Sequence, residues 1–212
     1  MPVNREKYED LRRLFGNNVC LVAVSKTKSV EEIMELYDLG HRDFGENYVQ
    51  ELLDKYNSLP KDIQWHFIGH LQTNKVKMIV PFVHLIQSVD SIKLLQEINK
   101  QAGKLNIISH CLLQVHIAEE ESKFGFNEQE VQEAYNQSSN FPSVKLEGLM
   151  GMASFSDNRE KVRAEFRRLK AIYDTMAGVS LLSMGMSSDF EIALEEGSNL
   201  VRIGTLIFGE RR

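Results

Sequence analysis

The chain has 212 residues, 42% of them hydrophobic and 26% charged, which is enough apolar material for one sizeable core. A formal net charge of -5 without a long basic run gives no support to nucleic-acid or anionic-lipid binding. No apolar run approaches the roughly 20 residues that span a bilayer, and the opening stretch MPVNREKYEDLRRLFG lacks the apolar core of a signal peptide, so a cytoplasmic protein is expected.

In chain order, residues 4 to 15 have the spacing of a helix, which could cover one end of the domain. Apolar, β-branched runs then recur at 19–25, 42–46, 65–69, 83–89, 109–117, 146–152, 181–185 and 200–204. Helical spacing fills the intervals, in SVEEIMELYDLG, NYVQELLDKY, SIKLLQEINKQAG, NEQEVQEAYNQ and REKVRAEFRRLKAIYDTM. Ser29 with Glu32, Asn127 with Glu130, Asp157 with Glu160 and Ser188 with Glu191 have the spacing of capping boxes. Gly40, Gly103 and Gly197 suit the left-handed position that ends a helix. Eight alternating units, uninterrupted by a linker, predict one domain over 1–212, a (β/α)8 TIM barrel preceded by an N-terminal helix. A doubly wound sheet is the alternative, but neither GxGxxG nor GxxxxGK[ST] follows any strand.

In such a barrel the C-terminal strand ends form the active face. The first run, LVAVSKTK, puts Val22, Val24 and Lys26 on one face, so if the valines fill the interior, Lys26 points into the mouth. Partial desolvation there, with Lys28 and Arg202 nearby, would leave more of its amine free. Lys28 lies beyond the strand and is expected in solvent or reaching toward an anion. Asn47 has Gln50 three residues on, and reads as a helix cap ahead of a ligand contact. His66 and His70 do not share a face, and no carboxylate or cysteine accompanies them, so no metal is expected. Cys20 and Cys111 form no CxxC and read as reduced packing residues. Met150, Met152, Met184 and Met186 are expected to pack around the mouth.

The segment SMGMSSD, at the end of the seventh run, supplies small residues and hydroxyls just before a helix start, and RIGT adds a second glycine turn from the adjacent strand. Loops after strands 7 and 8 often hold phosphate in barrels. Arg202 lies inside the apolar run LVRI, where a guanidinium is costly without a partner. A structural ion pair and a donor aimed at a ligand both account for it. A free amine opposite a phosphate site suits a Schiff base with a phosphorylated aldehyde.

AVSKTK, FGENYVQE, WHFIGHLQTNK, GLMGM and SMGMSSDFEIALEEGSNLVRIGTLIFGER, in this order, resemble the pyridoxal phosphate homeostasis protein family, also called alanine racemase N-terminal-domain-like. The likeness runs over residues 20 to 212, and SMGMSSD followed by VRIGT and FG is its most specific part. The resemblance implies a barrel that binds pyridoxal 5′-phosphate (PLP) as an aldimine on Lys26. It implies phosphate contacts from Ser183, Gly185, Ser187, Gly204 and Thr205, Arg202 facing the pyridine nitrogen, Asn47 and His66 around the cofactor, and Met150 near the ring. It further implies intracellular PLP buffering or delivery without established catalysis, apo PLP-dependent enzymes as recipients and a monomeric chain. Release could pass through Lys28 or Lys75. An arginine at the pyridine nitrogen makes the ring a weak electron sink, and a second acid/base group is not evident. Two alternatives stay open: a PLP-dependent amino-acid racemase, and a cofactor-free lyase using Lys26 on a sugar phosphate, which the phosphate loops alone do not separate from PLP.

Overall fold

The structure is a computed structural model, and it describes residues 3–119 and 124–210. Eight parallel strands close into a barrel in sequence order, with β1 (Cys20–Val24) hydrogen-bonded to both β2 (Asp43–Glu46) and β8 (Leu200–Ile203). Between these lie β3 (Gln64–Phe67), β4 (Leu85–Val89), β5 (Ser109–Val115), β6 (Val144–Gly151) and β7 (Leu181–Met186). All eight expected strands are present. The barrel forms because every strand turns one face to a helical layer and the other to the interior, where apolar side chains alternate with a few buried polar ones.

Alternation sorts the side chains. Leu21, Ala23, Phe44, Trp65, Phe67, Ile86 and Val201 join the large outer core beneath the helices. Val22, Leu85, Leu112, Met150 and Leu200 form a separate small cluster inside the barrel. Val22 thus points inward, as the alternation of LVAVSKTK requires.

α1 (Arg5–Phe15) precedes the barrel. It does not cover an end of it. Its Tyr8, Leu11 and Phe15 belong to the outer core, and Asn4 N donates to Ile207 O at 2.8 Å. The helix therefore lies in the outer layer along the wall, because its apolar stripe finds strand β1 and the neighbouring helices there.

The remaining helices are α2 (Val30–Asp38), α3 (Val49–Ser58), α4 (Val76–Ile79), α5 (Ile92–Lys104), α6 (Glu128–Gln137), α7 (Arg159–Asp174), α8 (Phe190–Glu195) and α9 (Thr205–Phe208). Ser29 with Glu32 and Asn127 with Glu130 form complete capping boxes. The other two do not form. Asn158, one residue beyond Asp157, caps α7, and Asp189 rather than Ser188 stands at the N-cap of α8. Gly40 and Gly197 take φ of 88° and 94°, but Gly103 lies inside α5 and the left-handed residue after that helix is Asn106.

Candidate functional site

The C-terminal strand ends gather most of the expected residues. Lys26 follows β1 and is half-buried. Two inward positions below it, Val22 pairs with Arg202 of β8, so the strands that carry the amine and the guanidinium are direct neighbours. Arg202 is 3% exposed. Its Nη1 donates to Ser183 Oγ, and Nη2 donates to the Gly151 carbonyl at 2.9 Å. No salt bridge to it is found among the described residues, which removes the structural ion pair as its explanation. Burial without a paired carboxylate pushes its pKa down to about 10, against a weaker opposing field from Asp189.

Ser183 does not lie with the loop hydroxyls. It is fully buried in the barrel, where it accepts from Arg202 and donates to Gln87 Oε1 at 2.6 Å. Gln87 Nε2 then donates to His66 Nδ1 at 3.0 Å, and His66 Nε2 meets Asp43 Oδ1 at 3.0 Å. From Arg202 to Asp43 every bond runs donor to acceptor in the same direction. The amide orientation of Gln87 sets the tautomer of His66, with its proton on Nε2. Burial acts to raise the Asp43 carboxyl, and the His66 hydrogen bond with the surrounding imidazoles overrides it, leaving the group below its ordinary value. His66 is accordingly not at the mouth with a free nitrogen but part of this interior chain. Gln87 and Asp43 were not singled out from the sequence. A polar residue inside the apolar run VHLIQSV was the available signal, of the same kind that marks Arg202.

Ser187 and Gly204 do come together: Gly204 N donates to Ser187 Oγ at 3.3 Å, joining the loops after β7 and β8. Thr205 opens α9 beside them and is exposed. Gly185 has φ 97°, and a Cβ on it would stand 2.6 Å from the Ala193 Cβ, so glycine is what lets α8 settle against the strand end. Asp189 Oδ1 accepts from Met186 N at 2.6 Å, holding the loop tight. A cleft of about 310 Å³ opens between this loop and the one after β6, lined by Ser154, Phe155, Ser188 and Asp189 among others. Glu165 of α7 fixes the second loop by accepting from Ser154 N and Oγ, both at 2.6 Å.

Asn47 follows β2 but does not cap α3, whose N-cap is Tyr48 without a side-chain bond. Its Oδ1 is buried and has no hydrogen-bond partner. The expected capping role therefore gives way to an acceptor or amide held at the mouth with unmet capacity. Gly69 allows this approach, since a Cβ there would collide with the Asn47 carbonyl. Met150 is fully buried in the interior cluster and floors the mouth, with Met152 half-buried against it. Met184 instead faces the outer core.

Lys28 is neither in solvent nor turned to an anion site. Its Nζ donates to the Phe208 carbonyl at 3.0 Å and lies 3.8 Å from Glu32. Lys75 is exposed in a short 3-10 turn, Thr73–Lys75. Cys20 and Cys111 are free thiols pushed up to about 12, chiefly by burial, which keeps them unreactive. Among the described residues no helix is long and apolar enough to cross a membrane, and no group of three metal-ligating side chains is suited to an ion.

Residues 4–212 match the family model described as alanine racemase, N-terminal domain. The chain is 46% identical over 198 residues to the pyridoxal phosphate homeostasis protein of Aquifex aeolicus, covering 91% of this chain and 87% of that one. Among solved structures it is similar to PipY of Synechococcus elongatus, determined with PLP bound, at TM-score 0.88 and 33% identity, over 96% of this chain and 99% of PipY. Alanine racemase of Clostridium difficile shares the fold at TM-score 0.78 and 16% identity, with 98% of this chain covering 56% of the racemase.

Proposed function

This chain belongs to the pyridoxal phosphate homeostasis protein family, and from that premise we propose that it binds PLP at the barrel mouth and serves as a carrier or regulator of intracellular PLP. The observation that carries this reading is Arg202, a buried cation held by neutral acceptors on the strand next to that of Lys26. PLP supplies an aldehyde, a phosphate and a pyridine nitrogen, and the chain offers a counterpart to each. Lys26 presents a primary amine for a Schiff base. The linked loops at Ser187, Gly204 and Thr205, with Gly185 beneath them, offer hydroxyls and amides to the phosphate. Arg202 would face the ring nitrogen, and the buried, unpartnered Oδ1 of Asn47 marks a side chain with capacity for a ligand. The fit is therefore good. Ser183, bonded to Arg202 and Gln87, would support Arg202 in place of binding phosphate, and Met150 of the interior cluster would lie beneath the ring.

Holding is favoured over turnover. A guanidinium facing the ring nitrogen would disfavour a proton on that atom and make the ring a weak electron sink. His66, the imidazole in this chain of groups, has both nitrogens committed to Gln87 and Asp43 and is not placed to shuttle a proton at the mouth. Among the described residues His66 therefore does not supply the second acid/base group that racemization needs.

The test is intact-protein mass and visible absorbance before and after borohydride. One PLP-sized adduct mapping to Lys26 is expected, and Lys26→Ala should abolish it. A colourless wild type, or an equally reducible Lys26→Ala protein, removes the proposal. Interconversion of L- and D-amino acids that disappears in Lys26→Ala would replace the carrier with an enzyme. Trapping of a sugar phosphate by protein free of PLP would replace it with a lyase.

A further inference from the structure

Lys26 occupies an unusual turn. Lys28 N donates to Ser25 O at 3.0 Å, so Lys26 and Thr27 are the two central residues of a β-turn. Of the pair only Thr27 has positive φ, at 64°. This is the pattern of a type II turn, whose second central position favours glycine. A β-branched residue there is strained, and such strain persists only where surrounding groups enforce it.

Those groups form a cluster beneath the turn, buried at Glu46 and Lys55 and part-exposed at Glu51. Glu46, fully buried at the end of β2, accepts from Ser25 Oγ at 2.6 Å and from Lys55 Nζ at 2.6 Å. Lys55, from α3, also donates to the Ser25 carbonyl at 2.7 Å and to Glu51 Oε1 at 2.7 Å. Glu51 Oε1 in turn accepts from Thr27 N at 2.5 Å. The cluster therefore grips the chain on both sides of Lys26. The Thr27 N–H belongs to the central peptide of the turn, the one that rotates by roughly 180° between type II and type I. In the rotated form the Lys26 carbonyl would face the Glu51 carboxylate. Glu51 thus selects the strained form, and Lys55 holds Glu51 in place.

We infer that Glu51 and Lys55 are positioning residues for Lys26: they lock the turn so that the amine meets an aldehyde from one backbone state. This rests on the proposed cofactor role of Lys26. Without the lock, Thr27 relaxes, and ordering the turn becomes part of the cost of binding.

The experiment measures PLP capture on Lys26 by absorbance titration and reduced-adduct mass, with melting temperature and hydrogen exchange of the Thr27 amide in PLP-free protein alongside. Glu51→Ala leaves the Glu46–Lys55 pair intact. It should weaken capture about tenfold, a change equivalent to about 1.4 kcal/mol, and deprotect the Thr27 amide at nearly unchanged melting temperature. Glu51→Gln, whose amide oxygen still accepts from Thr27, should stay close to wild type. Adding Thr27→Gly to Glu51→Ala should restore most of the affinity, because glycine takes the left-handed position without strain. Capture by Glu51→Ala equal to wild type, or a loss that neither substitution recovers, overturns the positioning role and leaves the cofactor reading standing. A wild type that forms no adduct on Lys26 overturns the cofactor reading itself, and the role with it. If Glu51→Ala fails to fold, Glu51→Gln and Thr27→Gly singly carry the test: a tenfold loss in either overturns the lock.

Discussion

Arg202 and Lys55 are both buried cations, 3% and 5% exposed, yet they are kept in opposite ways. Lys55 sits against two carboxylates, Glu46 and Glu51. Arg202 has a hydroxyl and a carbonyl. A cation with its counterions already in place is spent on structure, here the turn around Lys26. A cation given only neutral acceptors keeps its charge available to an incoming group, at the cost of a lowered pKa. Even the well-paired cluster is not saturated: Glu46 Oε2 has no partner, and burial outweighs Lys55 and Ser25 to raise the Glu46 carboxyl above its ordinary value.

Substitutions can break or sharpen this contrast. Lys55→Met strands Glu46 in a fully buried position and should cost about 3–5 kcal/mol in urea unfolding. A cost below about 1 kcal/mol would show that the pair holds nothing together.

His41 extends the comparison to a buried group kept uncharged. Burial lowers its pKa to about 4, and its ring lies edge-on to Tyr8 and Phe44 at 5.5 and 5.1 Å. Because the folded value lies below the unfolded one, its contribution is complete above pH 6.5 and disappears as pH falls through about 4. The loss is on the order of 3–4 kcal/mol, and His41→Phe should flatten the stability profile across that window. An unchanged slope would place the acid sensitivity elsewhere.

Arg202→Met should change stability by only about 1 kcal/mol, since removing a desolvated charge offsets the bonds lost. PLP capture should nevertheless fall steeply. A variant losing stability but not capture would reverse the assignment of the two cations. The smallest effect has the opposite sign. Asn47→Ala deletes an unsatisfied buried acceptor and should raise stability by up to about 1 kcal/mol while weakening PLP binding.

The sequence made the barrel legible because its signals are local: β-branched runs, helical spacing and alternation through Val22 and Val24 to Lys26. Arg202 was legible as a charge inside an apolar run. Lys55 was not, since a lysine on an amphipathic helix looks solvated until the carboxylates of another strand are brought to it. The role of Ser183 was hidden for the same reason, its partner Gln87 being 96 residues away. Capping was legible to within one residue at α7, where Asn158 wins over Asp157. It failed at α8, where a short tight loop claims the Asp189 carboxylate for Met186.

The closure of β1 on β8 has a consequence for synthesis. Lys26 follows the first strand, while Arg202, Gly204 and Thr205 belong to the eighth and the turn after it, and the two groups are brought together by the Cys20–Leu200 to Ala23–Ile203 seam. A growing chain therefore carries the amine long before it carries the rest of the pocket. On the proposed reading, tight capture of PLP waits for the last strand to dock, so the bound cofactor certifies a finished barrel and weights the equilibrium against its reopening.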